Sequence, residues 1–201
     1  MKLFEVMGFT TFNIMVAMVL SATFFGKAEE AQSTYIQELN NENVTQFIET
    51  VAYVASGKKA DMDSYAITTY LMDHIAADSN FNSTITYNIS DNFEDNQEEV
   101  MDMSKLEFIS HVLSNLKSME RHETQTNVEF VEVAEDKRTA SAVITTYERG
   151  MMPTVSEFGE DTLVPVRGTS FCEQKFALTQ ENVLQIIEAS CATDLDFSID
   201  Y

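Results

Sequence analysis

The sequence predicts an α+β domain in which about three N-terminal helices precede an antiparallel sheet. Three observations carry that prediction. Apolar residues recur at helical spacing from Val44 to Met119, and alternating apolar runs follow from Val128 onward. The third is a pair of cysteines that face each other across the last predicted hairpin. If two or four residues around Gln180-Glu181-Asn182-Val183 form its loop, partner numbers sum to 363 and Cys172 faces Cys191. Phe176 then meets Ile187, Gln174 meets Ala189, and Lys175 meets Glu188. Facing residues in an antiparallel ladder lie roughly 4.5–5.5 Å apart at Cα, within reach of a disulfide. A three-residue loop would set Cys172 opposite Ser190 instead.

Element by element, the chain opens on Lys2 and an apolar core, Ile14-Met15-Val16-Ala17-Met18-Val19-Leu20. Small residues in Gly26-Lys27-Ala28 suit a cleavage site, so residues 1–28 read as a signal peptide. The alternative is an uncleaved anchor from Gly8 to Gly26, close to the roughly 20 residues that cross a bilayer. Residues 29–43 form a polar extension, and 44–201 a single domain. Val44, Phe47, Ile48, Val51, Ala52 and Ala55 mark the first helix, with Gly57 as a left-handed cap and Lys58-Lys59 beside its negative end. A second helix is expected from Asp61 or Asp63 to Ala77, with apolar residues all round it and burial on more than one side. Ser104-Lys105-Leu106-Glu107 is a capping box flanked by Met103 and Phe108. It opens a third helix whose buried arc would hold Leu106, Ile109, Val112, Leu113, Leu116 and Met119.

A short strand is expected at Thr84 to Ile89, ahead of an insert from Asp91 to Met103. Val128–Val133 and Ala140–Tyr147 bracket the turn Glu135-Asp136-Lys137-Arg138, with a bulge where alternation slips between Phe130 and Val131. A long connection through Pro153 and Gly159 leads to Leu163–Thr179 and the cysteine hairpin. Leu195, Phe197, Ile199 and Tyr201 continue the alternation. Helix, helix, short strand, helix and four long strands is an order that resembles the nuclear transport factor two-like, or SnoaL-like, superfamily. The resemblance spans roughly Val44 to Leu195 and carries no diagnostic motif. It implies a curved antiparallel sheet wrapped around the helices as a cone with an internal cavity. A cystatin-like domain would leave nearly the same trace.

Composition narrows the function classes. The chain has 201 residues, 44% of them hydrophobic, and a formal charge of −21. So acidic a surface repels phosphate backbones and anionic lipid, which argues against nucleic acid and leaves only the N-terminal segment, if uncleaved, for a membrane. Metal binding is not expected: His74, His111 and His122 lack paired spacing, and Asp91-Asn92-Phe93-Glu94-Asp95-Asn96 puts Phe93 where a calcium loop needs an oxygen. No G-x-S-x-G elbow or glycine-rich phosphate loop occurs, and no cofactor is implied. Asn43, Asn82 and Asn88 head glycosylation acceptor triplets.

Acid–base chemistry in a cavity remains. Members of the resembled superfamily use an inward carboxylate or histidine beside a tyrosine to move a proton next to a carbonyl. Tyr70 and His74 share a helix face, and Tyr147 lies on a central strand, so these three are the cavity candidates. His74 should face the sheet away from any buried carboxylate. His111 is expected toward solvent, and His122 in a connecting turn. The resulting expectation is an exported, periplasmic or secreted, non-enzymatic module that holds a small apolar ligand or an envelope protein. A homodimer through the sheet is a further partner reading. Two alternatives stand beside it: a SnoaL-like lyase or isomerase, favoured by an inward-facing ionisable pair, and a tethered subunit of an envelope or secretion assembly, favoured by an intact N-terminus.

Overall fold

The computed structural model describes residues 36–57, 62–88, 97–116, 120–155 and 161–197. The N-terminal apolar segment, Lys58-Lys59, Met119, Gly159, the run from Asp91 to Asn96, and Ile199 and Tyr201 lie outside them. The first described helix, α1 (Asn41–Ala55), is capped by Asn40, whose side chain accepts from Asn43 N at 2.8 Å while Asn43 returns the bond at 3.0 Å. The polar extension therefore ends in a cap. Just before it Leu39 is buried, and its N–H donates to Lys137 O at 2.7 Å. Gly57 follows α1 at φ +67°, the left-handed cap position.

Helix α2 (Ser64–His74) starts at its cap Asp63, which accepts from Ala66 N at 2.9 Å. It ends three residues earlier than the spacing predicts, because Ile75, Ala76 and Ala77 belong to β1 (Ile75–Asn88). Only Ile67 and Leu71 of α2 are buried, while Tyr65 and Met72 are exposed, so the helix packs on one side and not all round. Part of the expected insert is a strand, β2 (Gln97–Ser104), paired antiparallel with β1. Ser104 ends β2 and opens α3 (Lys105–Asn115). Its N–H and its hydroxyl both donate to Glu107 Oε2, at 2.8 and 2.7 Å. Phe108, Ile109 and Val112 face the core, and Phe108 stacks on Phe81 at 4.1 Å between centroids. Leu106, assigned to the buried arc, is 66% exposed.

Four long strands follow: β3 (Glu120–Val133), β4 (Thr139–Val155), β5 (Asp161–Leu178) and β6 (Leu184–Phe197). The expected connection at Pro153 is instead strand, paired with Leu163. The β3–β4 bulge falls between Val128 and Phe130, at Glu129, one step earlier than predicted. The open sheet has order β2-β1-β6-β5-β4-β3 and is mostly antiparallel, but β1 runs parallel to β6. The cause lies at the end of α2. His74 Nδ1 sits 3.0 Å from Leu184 O, and Gln185 Nε2 donates to Asp73 O at 2.8 Å. The helix thus delivers the chain beside the start of β6, and β1 sets off in the same direction.

One core fills the space between the helices and the sheet. Val44, Ile48, Val51 and Leu71 meet Ile144, Phe176, Ile186 and Leu195 there. Phe47 packs edge-on against Phe176, at 6.0 Å and 89°. Each such side chain, fully buried, contributes about 1.5–3 kcal/mol. Together these elements form an α+β domain of three described helices on a six-stranded sheet.

The disulfide joins Cys172 and Cys191, with Cα atoms 4.1 Å apart. The route to that register differs from the prediction. At the turn, Leu178 faces Leu184 and Phe176 faces Ile186, because Thr179 N donates to Val183 O and leaves three residues in the loop. Asn182, at φ 64°, supplies the left-handed residue such a loop needs. A bulge at Ile187 then restores the frame. Beyond it Lys175 faces Glu188, Gln174 faces Ala189 and Cys172 faces Cys191. Phe176 therefore meets Ile186 and not Ile187.

Candidate functional site

The inner face of the sheet changes character along its strands. Near the β5–β6 turn it is apolar, with Ala140, Phe176, Ile186 and Leu178. The row Ala142–Gln174–Ala189, with Gln174 buried, follows, then Val128–Ile144–Cys172–Cys191, and the next is made of hydroxyls: Thr126, Thr146, Ser170 and Thr193 sit side by side across four strands. Thr126 and Thr146 hydroxyls are 3.3 Å apart, and Ser170 and Thr193 hydroxyls 2.7 Å. One row further, Thr124, Glu148 and Gly168 stand opposite one another.

Glu148 is the unexpected residue. Its side chain is 3% exposed, and Oε1 lies 3.3 Å from Nε2 of His122, whose side chain is 17% exposed. A carboxylate taken out of water costs several kcal/mol unless partners replace the lost hydration. A hydrophobic residue at position 148 would avoid that cost, so the pair is the strongest chemical signal on the inner face. His122 reaches it because β3 begins at Glu120: the predicted turn at His122 is strand. The sequence does hold the signal. Extending alternation backward from Val128 gives Thr126, Thr124 and His122 in one phase, and Ile144, Thr146 and Glu148 do the same on β4.

The residues singled out beforehand are only partly brought together. The rings of Tyr70 and His74 lie 4.3 Å apart, tilted by 41°, and His74 also lies 5.4 Å from Phe47, all on the packed side of the helices. Burial pushes the Tyr70 hydroxyl well above its ordinary proton affinity. Among the described residues His74 is bonded to a backbone carbonyl and to no carboxylate. Tyr147 does not join them. It alternates with Thr146 and Glu148 and points to the outer face, 49% exposed. His111, expected toward solvent, is half-buried, and burial holds its imidazole below the usual range, opposed by Glu107 and Glu99. Tyr87 donates to Glu99 at 2.8 Å, and burial, with that bond, raises its hydroxyl.

On the outer face Phe130, Tyr147 and Phe171 are open to solvent, beside a groove of about 600 Å³ lined in part by Tyr147, Arg149, Arg167 and Thr169. Glu148 also contributes to its lining. No group of three or more metal-ligating side chains occurs among the described residues, and none of their helices is long and apolar enough to cross a membrane.

No protein family matches the chain, nor does any curated protein. Solved structures similar to it include a hexachlorocyclohexane dehydrochlorinase, 7% identical over 80% of this chain and 90% of that one, at a TM-score of 0.47. A conserved protein from Planctomyces limnophilus is 12% identical, covering 76% and 97%, at 0.46. An NTF2-like superfamily protein from Salmonella enterica is 12% identical, covering 76% and 92%, at 0.40. The fold itself stands on the strand order and register above.

Proposed function

We propose that this protein is a cavity enzyme of the lyase or isomerase kind, with Glu148 and His122 as its acid–base pair. The inward-facing pair at 3.3 Å carries the reading, since it is the feature that separates such an enzyme from a binding module. Glu148, the deeper of the two, takes a proton from carbon beside a carbonyl. His122, nearer solvent, returns a proton to the product or exchanges it with water. The hydroxyl row of Thr126, Thr146, Ser170 and Thr193 lies next to the pair and offers donors to the carbonyl oxygen as charge develops there.

The exported binding module, the leading sequence expectation, keeps a narrower support. A disulfide is compatible with an oxidising compartment, and the outer groove is a place for a ligand. The test is deuterium incorporation, followed by NMR, into a panel of small carbonyl compounds with acidic α C–H bonds. Wild-type protein should accelerate exchange for at least one compound. Glu148→Gln should lose that acceleration by roughly 10²–10⁴-fold, with His122→Gln also impaired and both still folded by circular dichroism. If no compound exchanges faster with wild type than with Glu148→Gln, the enzyme reading fails and the binding module replaces it.

A further inference from the structure

We infer that the outer face of the sheet holds a binding site for a small carboxylate bearing an aromatic or other flat apolar group, with Arg167 as its cation. Its cation and ring belong to rows that face the side of the sheet opposite the acid–base pair, although Glu148 also contributes to the lining of the groove. A single row crosses five strands in the order Glu123, Arg149, Arg167, Asp196, Asn88. Its two ends are satisfied. Glu123 Oε2 accepts from Arg149 Nε at 2.6 Å and is ion-paired with the same guanidinium, while Asp196 accepts from Asn88 Nδ2 at 2.8 Å. Arg167, in the middle, makes no hydrogen bond or ion pair through its side chain among the described residues.

Two arginines directly opposite each other in a ladder repel. Glu123 and Asp196 flank the two arginines in the row and line the same groove, but these carboxylates are already bonded to Arg149 and Asn88, which leaves Arg167 facing Arg149. An anion between them converts the repulsion into attraction, and a guanidinium matches a carboxylate through two parallel N–H donors. The groove of about 600 Å³ lies over this row and is of the size that holds small ligands. Tyr147 and Thr169 form the next row, and Phe171 stands diagonally beyond, both rings 49% exposed. Charge thus sits at one end and aromatic surface beside it. The chain's overall negative charge repels polyanions at long range, which selects a single carboxylate over a polyphosphate.

The experiment is NMR titration of the full chain with benzoate, with acetate as the carboxylate lacking a ring and benzyl alcohol as the ring lacking charge. Benzoate should bind more tightly than either. Arg167→Gln should weaken benzoate and acetate roughly tenfold or more, and Tyr147→Ala should weaken benzoate while leaving acetate unchanged. Equal affinity for benzoate and acetate, or benzoate binding that survives Arg167→Gln, overturns the proposal. Neither result bears on deuterium exchange at Glu148, so the two readings fail separately.

Discussion

At the scale of single residues, Gly57 shows how backbone conformation outweighs space. Its φ of +67° costs any residue with a Cβ about 1–2 kcal/mol. A Cβ there would also come within 2.7 Å of Leu116 Cδ2, the movable end of a side chain. Gly57→Ala should therefore destabilise by about 1–2 kcal/mol in urea unfolding, and Leu116→Ala in the same chain should not restore the loss. Restoration would put the cost in the contact instead. The buried pair obeys another rule. Replacing both members of a buried ionic pair with apolar residues of similar volume is neutral or stabilising in general, whereas removing one partner alone costs about 3–5 kcal/mol. His122→Leu combined with Glu148→Met should melt no lower than wild type while losing exchange activity. A marked fall in melting temperature would assign the pair to stability rather than to chemistry. Two of the three acceptor asparagines use their side-chain amides in the fold: Asn43 donates to Glu38 O and Asn88 to Asp196.

At the scale of elements, one lysine joins helix to helix. Lys105, in the first turn of α3, donates to Met72 O and Ile75 O, each at 2.6 Å, and so satisfies carbonyls where α2 stops. Lys105→Met keeps the stem and strands both acceptors, so it should cost about 1–3 kcal/mol by thermal melting. An unchanged melting temperature would mean water replaces the ammonium. The hairpin of β5 and β6 carries the disulfide, and a loop of this length stabilises by about 3 kcal/mol at most in the chain-entropy model. Reduction should lower the melting temperature by several degrees without unfolding, and unfolded, unreduced protein should titrate no thiols. Two reactive thiols would remove both the bond and the register behind it.

Local signals make some elements legible. Asn40, Asp63 and Ser104 place side-chain oxygens where helices begin, and Ser104 with Glu107 spells the box in sequence alone. Other features depended on distant partners. Nothing near Ile75 reveals that His74 and Gln185 will turn a helix into a strand parallel to β6. The bulge at Ile187 compensated a loop of the wrong parity, so the cysteine register came out correct although one of its premises did not. Apolar alternation alone starts β3 at Val128 and leaves His122 in a turn, because the inner-facing positions before Val128 are polar: Thr126, Thr124 and His122.

At the scale of the whole molecule, a net charge of −21 makes stability depend on how protons are shared between folded and unfolded chains. His111 on α3 is the clearest case. Burial, the larger influence, holds its imidazole below the ordinary value, while Glu107 and Glu99 pull the other way. The unfolded chain therefore takes up this proton at higher pH than the folded one. Stability contributed by keeping His111 neutral is present above the ordinary histidine value and declines as pH falls from there toward the folded value. Glu107 and Asp136 act at a lower range. The Ser104 hydroxyl and N–H hold Glu107 down, and the N–H groups of Arg138 and Thr139 hold Asp136 down. Their contributions persist above ordinary carboxylate values and vanish only as pH falls through the folded ones. General relief of repulsion among the acidic residues works in the opposite direction on acidification, so a bare melting curve mixes the effects. His111→Gln separates them, because it leaves every carboxylate in place. Between about pH 7.5 and about pH 5.5, wild type should lose melting temperature relative to His111→Gln. A difference that stays flat across that interval would show that His111 takes up its proton equally readily in both states.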